Sequence, residues 1–416
     1  MRRLELGEAA RLPVRDQGIG SHDAARRQVL VTDPDLLRGV AADQIGPRAA
    51  FECEFHVAYD TARMREIAVV ISDLYLPRDS DARSTAVTAA LPGLEEAARF
   101  GQRSVADGGW RAWLARWMGR DDLSLAAPAA VAAAGSPGAA AGAGVWIANP
   151  IHLIAGLTSL HLDYRGLLRL PAQDLARLAQ DFTDTFGETD FHLEPLESGP
   201  FLLRSSRILN AMTTEPSRVL AHELEASLPN GPDAPILKRL GAELEMWLHS
   251  HPVNEVRARR GELPISTLWP WGGGVALQPA DPTGAREAPL ARPGTPLAFG
   301  CDPYLVGLSR LTGLQLQSLP ERLPDPADWP HAQRAVLVTE ITALLQANPA
   351  WTMFEALAHL DRCFIMPAME ALRAGAVDRV LVMANDIRLQ VGRRDRLRFW
   401  RRRLKSGGAA LRAVME

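Results

Sequence analysis

Two short runs set the terms for this chain. IAVVIS, residues 67–72, and RVLVMAN, residues 379–385, are continuous apolar stretches rich in β-branched residues. A half-solvated strand alternates apolar with polar, whereas an unbroken apolar run is what a strand covered on both faces needs. Each run leads into an aspartate, Asp73 and Asp386. LPGLEEAARFG follows the first as a short helix pattern closed by Gly101, and Trp110, Trp113 and Trp117 then recur at helical spacing as a packed stripe. A strand with helices, a long interruption, then helices and a strand again predicts an α/β sheet flanked by helices and interrupted by an inserted α+β subdomain. In open α/β sheets the ligand crevice lies at the carboxyl ends of the strands, which makes Asp73 and Asp386 site candidates by position. Aspartate is also an ordinary way for a chain to leave a strand.

The rest divides by composition. Residues 1–60 are rich in Arg, Asp and Ala and read as a loosely ordered N-terminal extension, ahead of the first part of the α/β domain at 61–124. The low-complexity Ala/Gly/Pro sequence at 125–145 reads as a linker, because nothing in it can bury a core. Residues 146–275 form the inserted α+β region. There VWIANPIHLIAGLTSLHLDY is β-rich, and Leu175, Leu178, Phe182 and Phe186 share one helix face. FHLEPLESGPFLLRSS predicts a hairpin turning at Ser198-Gly199. The Pro-rich stretch 276–330 reads as a connection with little regular structure. Residues 331–404 complete the α/β domain, with RAVLVTEITALLQA and FEALAHLDRCFIMPAMEALRAG as helix patterns before the RVLVMAN strand; 405–416 form a tail.

Charge and cysteine usage exclude several classes. The 416 residues carry a formal net charge of −3, with 47 % hydrophobic and 23 % charged residues. That is the balance of a globular protein with a sizeable core, not of one that coats nucleic acid or an anionic membrane. The basic run RRDRLRFWRRRLK near the end reads as a solvated terminus. No apolar run reaches the roughly 18–20 residues of a membrane span, and the opening residues lack the apolar core of a secretory signal. Cys53, Cys301 and Cys363 lie in no CxxC pattern, which argues against a zinc ribbon and a disulfide framework. A cytoplasmic location is the expectation.

The densest polar stretch is HSHPVNEVRARRGELPISTLWPWGGG, residues 249–274. Pro252 ends one helix and suits the first position of the next, so the two histidines straddle a helix–helix corner and diverge rather than chelate. Asn254 and Arg257, one turn apart, could present an amide and a guanidinium to a shared anion; a turn hydrogen bond and a solvated Arg are the plain alternative. LPISTLWPW reads as an extended run with Pro264 and Pro270 at its ends. The triple glycine has neither the Lys-Ser/Thr of a phosphate loop nor dinucleotide spacing. Packing of Trp269 or Trp271 over a glycine backbone suits it better.

Two distant blocks resemble the alkaline-phosphatase superfamily, which includes the cofactor-independent phosphoglycerate mutases. IAVVISDLYLP with LPGLEEAARFG is similar to that superfamily's first strand, metal-binding Asp and following helix. LAHLDRCFIMPAMEALRAGAVDRVLVMANDI is similar to its late helix–strand unit. More narrowly, NPIHL, the 249–274 stretch and RFWRRR look like the bacterial RpfE-type regulatory proteins, which often carry a phosphoglycerate-mutase-like label. The resemblance implies in-line phosphoryl transfer between two divalent cations, Mn or Zn, with Asp73 and Asp386 as ligands and Ser84 or Thr85 as the nucleophile. It departs from the family at Ile387, which follows Asp386 where the pattern has a histidine.

Two functions therefore remain open. One is a phosphoglycerate-mutase-like enzyme acting on a small phosphorylated metabolite. The other is a catalytically inactive regulatory or binding module, engaging such a metabolite or a protein partner through His152, Asn254 and Arg257.

Overall fold

The computed structural model describes residues 64–74, 90–134, 143–156, 159–220, 224–277, 296–329, 334–384, 386–398 and 400–401. In chain order their strands are β1 (Glu66–Ile71), β2 (Gln102–Val105), β3 (Gly144–Ile151), β4 (Ile154–Ala155), β5 (Leu160–His161), β6 (Phe191–Pro195) and β7 (Phe201–Ser205). They continue as β8 (Thr267–Val275), β9 (Leu297–Phe299), β10 (Gln315–Gln317), β11 (Arg334–Thr339), β12 (Arg379–Ala384) and β13 (Ile387–Gly392). Seven strands form a mixed sheet in the order β10-β9-β11-β1-β12-β13-β2. It is parallel from β10 to β12 and antiparallel beyond. An antiparallel sheet, β6-β7-β3-β8, falls in the chain between β2 and β9.

All six residues of β1 are buried because helices cover both faces of the larger sheet. Ile67, Val69 and Ile71 pack with residues of the Pro92–Phe100, Ile341–Ala347, Met353–Leu360 and Met366–Ala374 helices. Ala68 and Val70 face the other way, among residues of the Gly109–Trp117 and Pro303–Thr312 helices. Each such Val or Ile side chain contributes about 1.5–3 kcal/mol on burial. Trp110 and Trp113 are buried in that second layer, so the tryptophan stripe is a packed face. The smaller sheet is covered on one side by the Ala172–Phe186 and Ala234–His249 helices through Leu178, Phe182, Leu240 and Leu244.

Several expectations are corrected. RAVLVTEITALLQA is not one helix: Arg334–Thr339 is a central strand, and the helix starts only at Ile341. A short apolar run without breaks fits a buried strand as well as a helix, and periodicity cannot separate them. The Pro-rich stretch expected to lack regular structure holds β9, the Pro303–Thr312 helix and β10, all parts of the main sheet layer. Within the 125–145 segment, Pro128–Ala132 is a helical turn, buried throughout its Ala and Val residues. Small side chains let it lie tightly between β3 and β8 on one side and the Pro303–Thr312 helix on the other.

The triple glycine belongs to β8, and Pro270 lies inside that strand rather than at its end. β8 is an edge strand, where a residue without an N–H is tolerated. A Cβ on Gly273 would collide with the Trp146 indole, and one on Gly274 with Ala127. The glycines therefore admit Trp146 and the 127–132 segment, not Trp269 or Trp271. FEALAHLDRCFIMPAMEALRAG is helical, with a π-helical turn at Asp361–Ile365. Pro367 has no N–H to give the carbonyl of Cys363, four residues back, which accepts instead from Leu323 N–H at 3.0 Å. The hairpin at Ser198-Gly199 forms as expected, with Gly199 at φ 107°.

Candidate functional site

Asp73 and Asp386 do stand at the carboxyl ends of neighbouring parallel strands, since Ile71 pairs in register with Ala384. Their side chains go to different partners. Asp73 is buried and turns towards the Ile341–Ala347 helix. It accepts from the backbone N–H groups of Ile341 (2.7 Å) and Thr342 (2.8 Å), and from the Thr342 hydroxyl (2.6 Å). It thus caps a helix from outside, satisfying donors that a helix start leaves open. Burial, and then the nearby Glu340, push its carboxyl up to about 6, against the opposing pull of those hydrogen bonds. Asp361 does the same elsewhere, accepting from Gly93 (3.0 Å) and Leu94 (2.7 Å) at the start of the Pro92–Phe100 helix. Burial raises it to about 6 as well.

Asp386 lies in the two-residue turn between β12 and β13, and both its oxygens accept from Arg218 Nη2, at 2.8 and 2.9 Å. The chain turns back into β13 at Ile387, the position where the resembled pattern has a histidine. Ser84 and Thr85 lie outside the described residues. Among the described residues, no group of three or more His, Cys, Asp or Glu is arranged to hold a metal ion. Asp73 is spent on a helix start and Asp386 on a guanidinium. Among the described residues, this donor set does not fit a two-cation centre.

The other candidates are placed as follows. His152 Nδ1 lies 2.9 Å from the carbonyl oxygen of Pro264. Asn254 is buried; its Nδ2 donates to Leu248 O (2.8 Å) and Ile265 O (2.9 Å), and its Oδ1 accepts from Ile265 N (2.7 Å). Arg257 Nε donates to Leu263 O, and its guanidinium pairs with Glu262 at 3.0 Å. Asn254 and Arg257 fasten the turn between the Pro252–Arg259 helix and β8, and none of the three lines the crevice at the strand ends.

That crevice lies where β1 and β11 end against the smaller sheet, with a free volume of about 80 Å³. Arg111 crosses it, bonded to Glu215 at 2.9 Å and Asp302 at 3.0 Å. Trp110 and Trp271 each stack on its guanidinium, at 4.5 and 4.8 Å. Burial alone would depress its basicity, but Glu215 and Asp302 outweigh that and hold it charged. Arg169 pairs with Glu340 beside Cys301, and Glu340 raises its basicity further. Carboxylates outnumber guanidiniums: Asp73, Glu215, Asp302 and Glu340 against Arg111 and Arg169. Two polar atoms on this wall, Arg111 Nε and Ser217 Oγ, are buried without a hydrogen-bond partner. A buried polar atom left unpaired calls for a partner, which a water, an ion or a ligand can supply.

Arg111, Arg169, Glu215, Asp302 and Glu340 carry no motif in the sequence. The available signal was Asp302-Pro303 and Glu215-Pro216, an acid followed by proline, as at a helix start; Asp302 does cap the Pro303–Thr312 helix.

No family model and no curated protein matches the chain. Several solved structures are similar to it, these two among them. One is a cofactor-independent phosphoglycerate mutase from Thermoplasma acidophilum DSM 1728, with 18 % identity and a TM-score of 0.32 over 79 % of this chain and 89 % of that one. The other is the PH0037 protein from Pyrococcus horikoshii, with 13 % identity and a TM-score of 0.40 over 79 % and 88 %. At these values neither likeness carries an argument about chemistry.

Proposed function

We infer that this chain is a phosphoglycerate-mutase-like α/β scaffold, with 146–275 as an inserted α+β region, that works as a binding module. Its ligand is a small polar metabolite held in the strand-end crevice. The observation that carries this reading is the two unsatisfied buried atoms, Arg111 Nε and Ser217 Oγ, in the wall of a crevice crossed by the Arg111–Glu215–Asp302 ion pairs. A free volume of about 80 Å³ takes roughly five to eight water-sized groups, enough for a small polyol or amino compound. The carboxylate surplus favours hydroxyl or amino groups over a phosphate dianion. Metal-dependent phosphoryl transfer through Asp73 and Asp386 is disfavoured, because both carboxylates are committed to other partners.

The test is calorimetric titration and thermal shift against polyols, amino sugars and their phosphorylated counterparts. Ser217→Ala removes one unsatisfied atom without disturbing an ion pair. A ligand shift is expected in the wild type, is lost in Ser217→Ala, and is weaker for phosphorylated ligands. Mutase or phosphatase turnover with Mn²⁺ or Zn²⁺ that vanishes in Asp73→Asn would overturn the reading in favour of the enzyme.

A further inference from the structure

A second cavity, of about 600 Å³, lies beside β8, the edge strand of the smaller sheet, against the Ala234–His249 helix. It shares no lining residue with the crevice. Its volume is that of a small-molecule site, roughly 300–1,000 Å³. Leu153, Leu224, Leu237, Leu268 and Trp269 give it mostly apolar walls.

Two of its residues are poorly explained by packing. Gly241 stands in the middle of the Ala234–His249 helix, where glycine weakens a helix relative to any ordinary residue. It does not have a positive φ, and a Cβ there would meet nothing within 4 Å, so neither a turn nor a close approach demands it. The space its side chain would take is the cavity. Thr267 is only 4 % exposed, yet its hydroxyl has no hydrogen-bond partner. It lines the same cavity. An unpaired buried hydroxyl is a cost that a bound ligand would remove.

We propose that this cavity binds an uncharged, largely apolar small molecule carrying one hydroxyl or carbonyl group. The apolar walls take its body, and rotation of Thr267 about χ1 turns its buried hydroxyl to the polar group. Lys238, Glu225 and Glu245 also line the cavity, an acidic surplus that opposes a carboxylate head. The site is independent of the crevice and of the function assigned there.

The experiment is a Nile red fluorescence titration of the full chain, competed with 1-decanol and with decanoate. The expected result is one saturable site from which decanol displaces the dye at least about tenfold better than decanoate. Thr267→Val weakens decanol about three- to tenfold. Gly241→Phe obstructs the cavity and weakens dye binding at least about tenfold, with the circular dichroism spectrum and melting temperature retained. Ala242→Trp obstructs it from the neighbouring position and reports the same if Gly241→Phe folds poorly. Absence of a saturable site, dye affinity unchanged in both obstructed variants, or decanoate competing as well as decanol would overturn the proposal.

Discussion

Replacing Asp73 by alanine separates a helix-capping carboxylate from a metal ligand. Three buried donors, Ile341 N, Thr342 N and Thr342 Oγ1, lose their acceptor. At about 1.5 kcal/mol each, this costs about 4–5 kcal/mol. Part of that is offset at neutral pH, because the variant no longer buries a charge. The Asp73 carboxyl titrates near 6 in the folded chain, against an ordinary value of 3.8. A folded value raised in this way gives stability that is fully present below 3.8 and lost as pH rises through 6. The full offset is about 3 kcal/mol, so Asp73→Ala costs about 1–2 kcal/mol at pH 7.5. Between pH 7.5 and 4.5 its cost grows by about 2 kcal/mol. Asp361 titrates in both proteins and cancels in the difference. Urea unfolding followed by tryptophan emission at the two pH values measures this. A cost that stays constant or shrinks in acid would refute the reasoning. So would a variant as stable as the wild type in the absence of metal.

Asn254→Ala takes the Asn254 partner from Ile265 O and Ile265 N, while Leu248 O keeps the N–H of His251, and destabilises by about 2 kcal/mol, seen as a lower melting temperature, while crevice ligands still bind. Gly273→Ala drives a methyl group into the Trp146 indole and costs about 1–3 kcal/mol in urea unfolding, more than an alanine at Gly241, where a Cβ meets nothing within 4 Å. Arg111→Met takes the guanidinium from Asp302 and Glu215, which are 5 % and 15 % exposed and keep only the helix-start N–H groups and the more distant Arg218, and costs about 3 kcal/mol by the same measurement.

How much was legible in the sequence depended on how local the signal was. β1 and β12 were readable because a strand covered on both faces must be apolar at every position, and both runs are long enough to show it. β11 has the same composition, but it leads directly into a helix, so one apolar stretch hid two elements. β9 and β10 are three residues each, too short for any period, and the prolines around them masked a helix that proline in fact starts. The corner at Pro252 and the alternative reading of Asn254 as a turn hydrogen bond follow from neighbours in the chain, and both are seen. The crevice was not legible. Arg111, Arg169, Glu215, Asp302 and Glu340 come from five separate segments, and only the folded sheet brings them together. Asp73 was found for its position but not for its role, since its partners at Ile341 and Thr342 lie far along the chain.

On the function proposed above, Asp73 and Asp386 are structural carboxylates beside a binding crevice, not ligands of a catalytic metal pair. Equilibrium dialysis of the full chain against Mn²⁺ and Zn²⁺, with bound metal counted by elemental analysis, decides between the two. No stoichiometric binding is expected in the wild type, and none in Asp73→Asn or Asp386→Asn. Two equivalents of metal per chain in the wild type, falling in either variant, would contradict it.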